Sequence, residues 1–321
     1  MDREPISIVI PSWQGETLLR RFLGSVVSTS QAYEGDTELI VVDDASTDGT
    51  RAFLEEHYPV VRVVPLSSNQ GFQRACNAGV QACRYRLVLL LNNDIEVQNG
   101  FLSPLPRHFG DPDVFGVRIR SLLVEGEKAL PDERSVPVRI TGKFWRGFLS
   151  CEAEPLSDSW RNSSQIPSFS FGGGAVIFDR EKFLELGGFD EILRPIYWED
   201  IDLSYRVWKR GWKIVTEIEC FVTHYHRSTM SKALNPFSLL ILGERNRYLL
   251  VWKNISDPSL LLQHFCYIPL RLLRSIFLWR WSSPLAFFMA LRRLGEVFKK
   301  RRFQKALYYL SDREVLQKFA R

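Results

Sequence analysis

The chain has 321 residues, 45% of them hydrophobic and 13% aromatic, which is enough for a sizeable core in one large domain or in two. Its charge is uneven. Thirteen of the 42 Lys and Arg residues but only three of the 37 Asp and Glu residues follow residue 270, so a tail of about +10 follows a body of about −5. The five cysteines form no CxxC pair and indicate neither a zinc knuckle nor a disulfide framework, which favours a reducing compartment.

The first hundred residues predict strands that alternate with helices. Predicted strands lie at residues 6–11, 38–42, 60–64 and 87–91. The last of them is an unbroken aliphatic run, typical of a strand buried on both faces at the centre of a parallel sheet. Apolar residues recur at helical spacing over residues 18–27, and small residues follow Gly71 in a helix that would lie close to the sheet. The polar start at residues 1–5 predicts no secretory signal. This alternation predicts right-handed βαβ units and a mostly parallel sheet.

Polar side chains follow two of these strands where each strand ends. Asp43 and Asp44 come after the second strand, and Asn92, Asn93 and Asp94 come after the fourth. The carboxyl ends of parallel strands meet at one edge, where α/β sheets bind ligands. One carboxylate there can accept hydrogen bonds from a base or ribose while another holds a divalent cation against phosphate oxygens. The alternative is a plain strand-to-turn junction, since Asn and Asp favour turns. The sequence lacks GxGxxG and P-loop motifs after the first strand, which disfavours both of those nucleotide sites.

Seven motifs in the same order resemble those of family 2 glycosyltransferases of the GT-A fold. They are IVIPS from Ile8, VVDDASTDGT from Val41, Asn69-x-Gly71-Phe72 with Asn77-x-Gly79, LNND from Leu91, FGGGA from Phe171, GGFDE from Gly187 and WEDIDLSYR from Trp198. The resemblance covers about residues 5 to 230 and is closest to the rhamnosyltransferase-like branch that builds bacterial surface polysaccharides. It implies an α/β fold with a mixed, mostly parallel sheet flanked by helices.

The resemblance also implies roles for individual residues. Asp200 is implied as the catalytic base, with Glu199 beside it. Asp94 matches the last position of the family's DxD metal motif for Mg²⁺ or Mn²⁺, and His224 matches a histidine that completes the metal site. Contacts to the donor nucleotide are implied for Pro11, Asp43, Asp44, Asn69, Gly71, Asn77, Asn92 and Asn93. Contacts to the acceptor are assigned to Gly173, Gly174 and Trp198, although a run of glycines also suits a close approach to another strand or a plain hinge.

The chain departs from the family pattern at Asn92, which stands where the DxD motif has its first carboxylate. An amide oxygen ligates a hard cation more weakly than a carboxylate, so we expect lower metal affinity or a dependence on other ligands. Two further assignments have alternatives. His224 is either a metal ligand or a surface histidine at a strand end. Tyr197 and Trp198 either stack on the apolar face of a sugar or belong to the core.

Three acidic residues lie in the first turn of a predicted helix that ends at Gly211: Glu199, Asp200 and Asp202. Acids there complement the helix dipole, and Asp202 can pair with Arg206 one turn later. That explains Asp202 but not why Glu199 and Asp200 stand together. An inverting transfer needs one base to remove the proton of the attacking acceptor hydroxyl. By resemblance this base is Asp200, and desolvation or the adjacent Glu199 would raise its pKa toward the working range.

The interval between Ser121 and Ser170 shows no clean period, so it predicts no helix or strand. In the family this interval contributes to the acceptor side and varies widely. Substrate choice is therefore the property that the sequence reveals least.

Residues 231–321 are predicted as a basic, amphipathic helical extension that follows a GT-A domain at residues 1–230. Charged residues interrupt the apolar stretch between residues 260 and 294, so a membrane-spanning helix is not predicted. Trp279, Trp281 and Phe287 beside arginines predict helices lying in a membrane surface, with residues 299–302 as a patch for anionic lipid. A nucleic-acid-binding helix and a dimerisation helix are the alternatives. We favour peripheral association with the inner face of the plasma membrane, without nucleic acid, and leave a homodimer open.

The sequence therefore predicts a cytoplasmic, inverting, metal-assisted glycosyltransferase. It would move a sugar from a UDP-, dTDP- or GDP-linked donor to a lipid-linked or polysaccharide acceptor. One alternative is a sugar-nucleotide nucleotidyltransferase, which would need a basic, glycine-rich triphosphate loop where residues 11–15 have none. The other is a scaffold protein that kept the fold and lost activity, an idea motivated by Asn92.

Overall fold

A mixed sheet of ten strands organises the part of the chain that the computed structural model describes, residues 3–125, 128–129, 138–157, 160, 163, 165–172, 174–225 and 235–320. Its strands are β1 Ile6–Ser12, β2 Thr37–Asp43, β3 Arg62–Pro65, β4 Leu87–Leu91, β5 Ile95–Glu96, β6 Val114–Glu125, β7 Lys128–Ala129, β10 Ile166–Pro167, β11 Ala175–Asp179 and β12 Lys213–Tyr225. The order along the sheet is β10-β12-β6-β11-β4-β1-β2-β3, with β5 paired to β12 and β7 to β6. The α/β fold and the four predicted strands are confirmed.

Helices cover the faces of the sheet and continue beyond it. They are α1 Glu16–Ala32, α2 Thr50–His57, α3 Phe72–Ala82, α4 Arg180–Glu185, α5 Glu199–Lys209, α6 Pro236–Asn254, α7 Pro258–Phe277, α8 Ser282–Leu291, α9 Leu294–Lys305 and α10 Asp312–Gln317. Helix α3 begins after Gly71, as predicted, and lies so close to the sheet that a Cβ on Gly79 would overlap the side chains of Val9 and Val42. The small residues of this helix therefore set its distance from β1 and β2.

The sheet brings several strand ends to one edge. Strands β3, β2, β1 and β4 are parallel neighbours, and β12 runs parallel to β6. Strand β11 lies antiparallel between β4 and β6, so the carboxyl ends of β1, β2, β4 and β12 all lie at the same edge. The polar residues that follow these strands therefore meet there, which is the position expected for a ligand site in an α/β sheet.

A hairpin occupies part of the interval in which the sequence predicted no element. It consists of β8, Val138–Trp145, and β9, Phe148–Pro155, paired antiparallel in a separate two-stranded sheet. Arg146 and Gly147 form the two-residue connection with φ values of 49° and 78°. Two positive φ angles are what a tight hairpin turn requires, and glycine adopts one of them without strain. The local turn signal was present, but the strands lack the alternation that identifies a strand in sequence.

The C-terminal helices share one hydrophobic core with the sheet. Tyr248 of α6 and Val315 of α10 are fully buried in the same cluster as Val9 and Phe178 of the sheet. A buried ion-pair network reinforces this packing, because Nζ of Lys253 lies 2.6 Å from Asp202 Oδ1 and 2.7 Å from Asp190 Oδ2. The predicted division at residue 230 stays a prediction.

The residues of the predicted membrane patch differ in how exposed they are. Trp279 and Trp281 are exposed, but Phe287 is partly buried and packs against the core, with its ring centre 5.4 Å from that of Tyr248. Two members of the predicted patch at residues 299–302 also have protein partners: Lys300 lies 3.2 Å from Asp190, and Arg301 donates to the carbonyl of Trp252. Helical amphipathicity explains both differences, since neighbouring residues point to different faces.

Among the described helices, none combines the length and the apolar content that crossing a membrane requires.

Candidate active site

A cleft opens at the shared edge of the sheet. Its lining comprises Pro11, Ser12, Trp13, Asp44, Asn69, Gly71, Phe72, Ala75, Asn92, Asn93, Asp94, Ile196 and Glu199. Seven of the residues proposed for the donor nucleotide and the metal lie on this surface, together with Glu199 of the proposed catalytic pair. Residues from five distant parts of the sequence thus surround one space.

The two aspartates after β2 have different surroundings. Asp43 is fully buried, accepts a hydrogen bond from the backbone N–H of Ser46 at 3.1 Å and forms an ion pair with Arg51. Asp44 faces the cleft and accepts from the N–H groups of Gln70 at 2.7 Å and Gly71 at 2.8 Å. Burial raises the pKa of Asp44, although these two hydrogen bonds oppose the rise. Asp43 shapes the loop after β2, and Asp44 is the member of the pair that a ligand in the cleft can reach.

Two other residues proposed for the donor contact the protein itself. Asn77 exchanges two hydrogen bonds of 2.9 Å with the backbone of Phe189 and does not line the cleft. Gly71 directly precedes α3 and has φ of 85°. This left-handed φ favours glycine, whereas an added Cβ would make only ordinary contacts with Arg194 and Pro195. Asn77 thus ties α3 to the loop before α5, and its role in donor binding stays a prediction.

Asp94 and His224 lie side by side because of a short strand pairing. His224 of β12 is opposite Ile95 of β5, and this register brings its Nε2 atom to 3.0 Å from Oδ1 of Asp94. Gly174 lies beneath the imidazole, where an added Cβ would be 3.0 Å from Nδ1 of His224. This close approach is a structural reason for glycine at that position, whereas Gly173 lies outside the described residues.

The donors at this point fit a divalent cation. Asn92 lies at the same edge of the sheet. Its Oδ1 atom is buried and has no hydrogen-bond partner among the residues that the structure describes. A carboxylate, an imidazole and an amide oxygen are all ligands for Mg²⁺ or Mn²⁺. In the described part of the chain no third His, Cys, Asp or Glu joins the pair. Magnesium sites of this open kind commonly complete their coordination with water and substrate phosphates.

The turn before α5 holds an unusual backbone conformation. Tyr197 and Trp198 have φ of 75° and 74°, in the left-handed region that bulky residues rarely adopt. Such conformations persist only where the surrounding structure enforces them, and they concentrate at functional sites. Trp198 is the residue directly before α5. The conformation of this turn therefore sets the orientation of the first residues of α5, Glu199 and Asp200.

Glu199 and Asp200 place two carboxyl groups next to each other at the start of α5. Glu199 is buried, lines the cleft and accepts a hydrogen bond from Nε2 of Gln73 at 3.1 Å. Burial, followed by the charge of Asp200, raises the pKa of Glu199 to about 8. Burial also raises the pKa of Asp200, while a hydrogen bond from the Ser170 hydroxyl opposes the rise. Both carboxyl groups therefore have raised pKa values, and burial is the first cause of the shift in each.

The remaining predictions about this segment concern packing. Asp202 and Arg206 form the predicted pair, with Oδ2 and Nε 2.9 Å apart. Trp198 packs partly against the core, and the guanidinium of Arg247 lies 5.4 Å from its ring centre. Trp198 thus contacts the core and also turns one face of its ring toward an arginine. Acceptor binding by Trp198 stays a prediction.

Sequence analysis missed residues that hold the site together. Gln73 of α3 supports Glu199, and Asn246 of α6 supports the turn before α5. Both side chains are buried, yet Arg74 follows Gln73 and arginines flank Asn246, so no apolar pattern in the sequence marks either position as buried. Their partners lie more than 45 positions away in the chain, so the sequence could not show what they bind.

This arrangement defines a class of protein. The sheet is mostly parallel, a cleft that contains carboxylates lies at its edge, and a helix that begins with acidic residues lies beside the cleft. This is the GT-A architecture of nucleotide-sugar transferases. The sequence model of the family "Glycosyl transferase family 2" matches residues 7–172, so the chain belongs to glycosyltransferase family 2. That assignment replaces the nucleotidyltransferase alternative.

Individual relatives agree with the assignment. The chain is 26% identical over 256 residues to the N-acetylglucosaminyl-diphospho-decaprenol L-rhamnosyltransferase of Mycobacterium tuberculosis, covering 72% of this chain and 78% of that protein. The fold of this chain is similar to that of GalNAc-T7 with UDP, GalNAc and Mn²⁺. The TM-score is 0.63 at 20% identity, covering 78% of this chain and 48% of GalNAc-T7. The mannosyltransferase PcManGT of Pyrobaculum calidifontis, in complex with GDP-Man and Mn²⁺, gives a TM-score of 0.54 at 14% identity, covering 94% and 85% of the two chains.

Proposed function

We propose that the protein is an inverting, metal-assisted glycosyltransferase that moves a sugar from a nucleotide diphosphate to a hydroxyl of a lipid-linked or polysaccharide acceptor. The observation that carries this proposal is the position of Glu199 and Asp200 at the start of α5, beside the cleft that contains Asp44, Asn92 and Asp94. Donor and base sites thus lie on either side of one reaction space.

The donor would occupy the cleft with its base toward Asp44 and Asn69 and its diphosphate toward Asn92 and Asp94. Asp94 and His224, with Asn92 beside them, would hold Mg²⁺ or Mn²⁺. When bound, the cation would act as a Lewis acid that offsets the charge on the departing diphosphate. Two structures with a similar fold, GalNAc-T7 and PcManGT, are complexes with Mn²⁺, which supports this part of the proposal.

Asp200 would take the proton of the acceptor hydroxyl while the oxygen attacks the anomeric carbon. The new glycosidic bond would form on the face opposite the breaking bond to the diphosphate, which inverts the anomeric configuration. The raised pKa of Asp200 favours this proton transfer, because a base works best with a pKa near the operating pH. Protonated Glu199 would leave Asp200 as the single negative charge of the pair.

A lipid-diphosphate acceptor is the form of acceptor that we favour, since the rhamnosyltransferase relative is named for one. Such a substrate resides in a membrane, and the exposed side chains of Phe277, Trp279 and Trp281 would contact the inner face of the plasma membrane from the cytoplasm. Homodimerisation stays a prediction.

Calorimetric titration with UDP, dTDP, GDP and their sugars, each with and without Mn²⁺, tests the donor site. We expect one nucleotide to bind in a metal-dependent way and Asp94→Ala to abolish that binding. A matched control is Asp48→Ala, which removes an exposed acid from the loop after β2 that does not line the cleft. If the folded protein bound none of these nucleotides, the inactive-scaffold alternative would replace the proposal.

A further inference from the structure

A second cavity, of about 880 Å³, lies near the turn before α5, because its lining residue Arg247 contacts Trp198 of that turn. Its walls come from the turn of the β8–β9 hairpin, from α6 and α7, and from the connection between α7 and α8. It shares no lining residue with the donor cleft. Two of its lining residues, Trp279 and Trp281, are proposed above to contact the membrane, but the cavity itself has no role in the donor site proposed above.

Positive charge dominates this cavity. Five arginines line it: Arg146, Arg247, Arg271, Arg274 and Arg280. Among the described lining residues Glu244 is the one carboxylate, and it is already engaged by Arg271 at 2.9 Å and by the hydroxyl of Ser283. Several guanidinium groups in one partly enclosed space repel one another, and an anion placed between them would relieve that repulsion.

Hydrogen-bond donors in this cavity lack acceptors. The Nε atoms of Arg247 and Arg271 and the hydroxyl of Ser150 are buried, and within the described residues none has a hydrogen-bond partner. Burial, followed by the charge of Arg271, lowers the pKa of Arg247, so this cation is held in a costly environment. Unsatisfied buried donors are rare in folded proteins and indicate a missing partner. Phosphate oxygens match the fork of a guanidinium group better than most other anions.

The cavity is adjacent to the proposed base. The guanidinium of Arg247 lies 4.8 Å from the ring centre of Phe148 and 5.4 Å from that of Trp198. Trp198 directly precedes Glu199 and Asp200. A phosphate group held by Arg247 would therefore be separated from the catalytic pair by one aromatic side chain.

An apolar surface continues from the mouth of the cavity. Leu270, Phe277 and Trp279 are 62%, 83% and 80% exposed, and among the three only Phe277 is not part of the cavity lining. Exposed aromatic and aliphatic residues beside arginines suit a molecule with an anionic head and a hydrocarbon tail. Free phosphate would use the arginines but would gain nothing from this surface.

We propose that this cavity binds the diphosphate of a polyprenyl-diphosphate-linked acceptor, while the adjoining apolar surface receives the first part of its prenyl chain. The proposal rests on the proposed function, since it assigns the acceptor side of the same reaction. The acceptor sugar would extend from the diphosphate past Trp198 toward Asp200. The donor and acceptor diphosphates would then occupy separate sites.

Calorimetric titration of the full chain with farnesyl diphosphate tests this proposal. We expect farnesyl diphosphate to bind, and farnesol and inorganic pyrophosphate to bind much more weakly. Arg274→Gln combined with Arg280→Gln should weaken binding by about tenfold or more, because charge-assisted hydrogen bonds are lost. Both side chains are exposed, so the fold should tolerate these changes. Asp94→Ala should leave this binding intact, which separates the cavity from the donor cleft.

The matched control is Arg292→Gln combined with Arg302→Gln, which removes the same charge from exposed positions outside the cavity. Equal binding of farnesyl diphosphate by the cavity variant and the wild type would overturn the proposal, as would an equal loss in the control variant. Binding of phosphatidylglycerol vesicles that depends on Arg274 and Arg280, without binding of farnesyl diphosphate, would assign the cavity to bulk lipid instead. Donor titrations run in parallel show whether the proposed function itself stands.

Discussion

The side-chain amide of Asn246 donates a hydrogen bond of 2.9 Å to the backbone carbonyl of Tyr197. The same Nδ2 atom lies 2.6 Å from the carbonyl oxygen of Leu193 and 2.9 Å from that of Ile196. Asn246 is fully buried in α6 of the C-terminal extension, whereas the three carbonyls belong to the turn before Glu199. Helix α6 therefore holds the left-handed backbone that precedes Glu199 and Asp200, the proposed catalytic pair.

Replacing Asn246 by Ala should slow sugar transfer as well as destabilise the protein. The change leaves three backbone carbonyls without this donor, and we expect a loss of about 3 kcal/mol in the free energy of unfolding. Without the clamp, Tyr197 and Trp198 can relax from their left-handed conformation, so kcat should fall while the affinity for the donor nucleotide changes little. Denaturant unfolding and steady-state kinetics measure the two effects.

Asn254→Ala is the matched control for that change. Asn254 lies on the same helix and is also buried, but its amide donates to Asp202 at 2.7 Å and its carbonyl accepts from Tyr308 at 3.0 Å. We expect a similar loss of stability with nearly normal kcat for the folded protein. Equal kcat losses in the two variants would mean that general destabilisation, and not the turn, limits the reaction.

Removal of the proposed base should separate chemistry from binding. Asp200→Asn keeps the shape of the side chain but cannot accept the proton, so we expect kcat to fall by about 10² to 10⁴ with donor affinity retained. Glu199→Gln imitates the protonated form that burial favours and should cost much less. Rates of sugar transfer and of donor binding, measured on both variants, test the assignment. Glu199 would be the better candidate for the base if Glu199→Gln were the more damaging change.

Glu199 should also make stability depend on pH. Its pKa is about 8 in the folded protein against an ordinary value of 4.5, so between these values the folded state holds a proton that the unfolded state has lost. The contribution of Glu199 to stability is therefore complete below about pH 4.5 and falls as the pH rises toward about 8. Thermal unfolding of the wild type and Glu199→Gln at several pH values measures this. The variant should gain stability relative to the wild type as the pH rises, whereas parallel curves would show that Glu199 is not protonated in the fold.

Local sequence pattern was sufficient to predict the first four strands and the cleft, but not the residues that support the cleft. Residues 87–91 are buried throughout, and this run of aliphatic residues was visible in the sequence. Polar residues after β2 and β4 were placed correctly at one edge because parallel strands fix where their ends lie. The β8–β9 hairpin and the role of Asn246 were not visible, because both depend on contacts with distant residues that leave no periodic signal.

The same limit applies to the tail. Its basic and aromatic composition was clear, but composition does not show which helical face is turned inward. Arg301 and Lys300 look like surface charge in the sequence, yet one donates to the carbonyls of Trp252 and Ile255 and the other pairs with Asp190. Only the packing of α9 against α6 decides which charges remain free for a partner.

Asn92→Asp should raise the affinity for a divalent cation. Oδ1 of Asn92 is buried close to Asp94 without a hydrogen-bond partner among the described residues, so a carboxylate there would add a second negative ligand to the site. Hard cations bind a carboxylate more tightly than an amide, and we expect the dissociation constant for Mn²⁺ to fall by about tenfold. Calorimetric titration of Mn²⁺ on the full chain, without nucleotide, measures this constant directly.

Asn93→Asp is the control, because it adds the same charge one position later. The amide of Asn93 donates to Oγ of Ser12 at 3.1 Å, so its side chain is held away from the Asp94–His224 pair. This variant should gain little affinity, since charge without coordination contributes only through a screened interaction at the edge of the cleft. An equal gain in both variants would mean that net charge, and not ligation by residue 92, sets metal affinity. No gain in Asn92→Asp would remove this position from the metal site and leave Asp94 and His224 as its protein ligands.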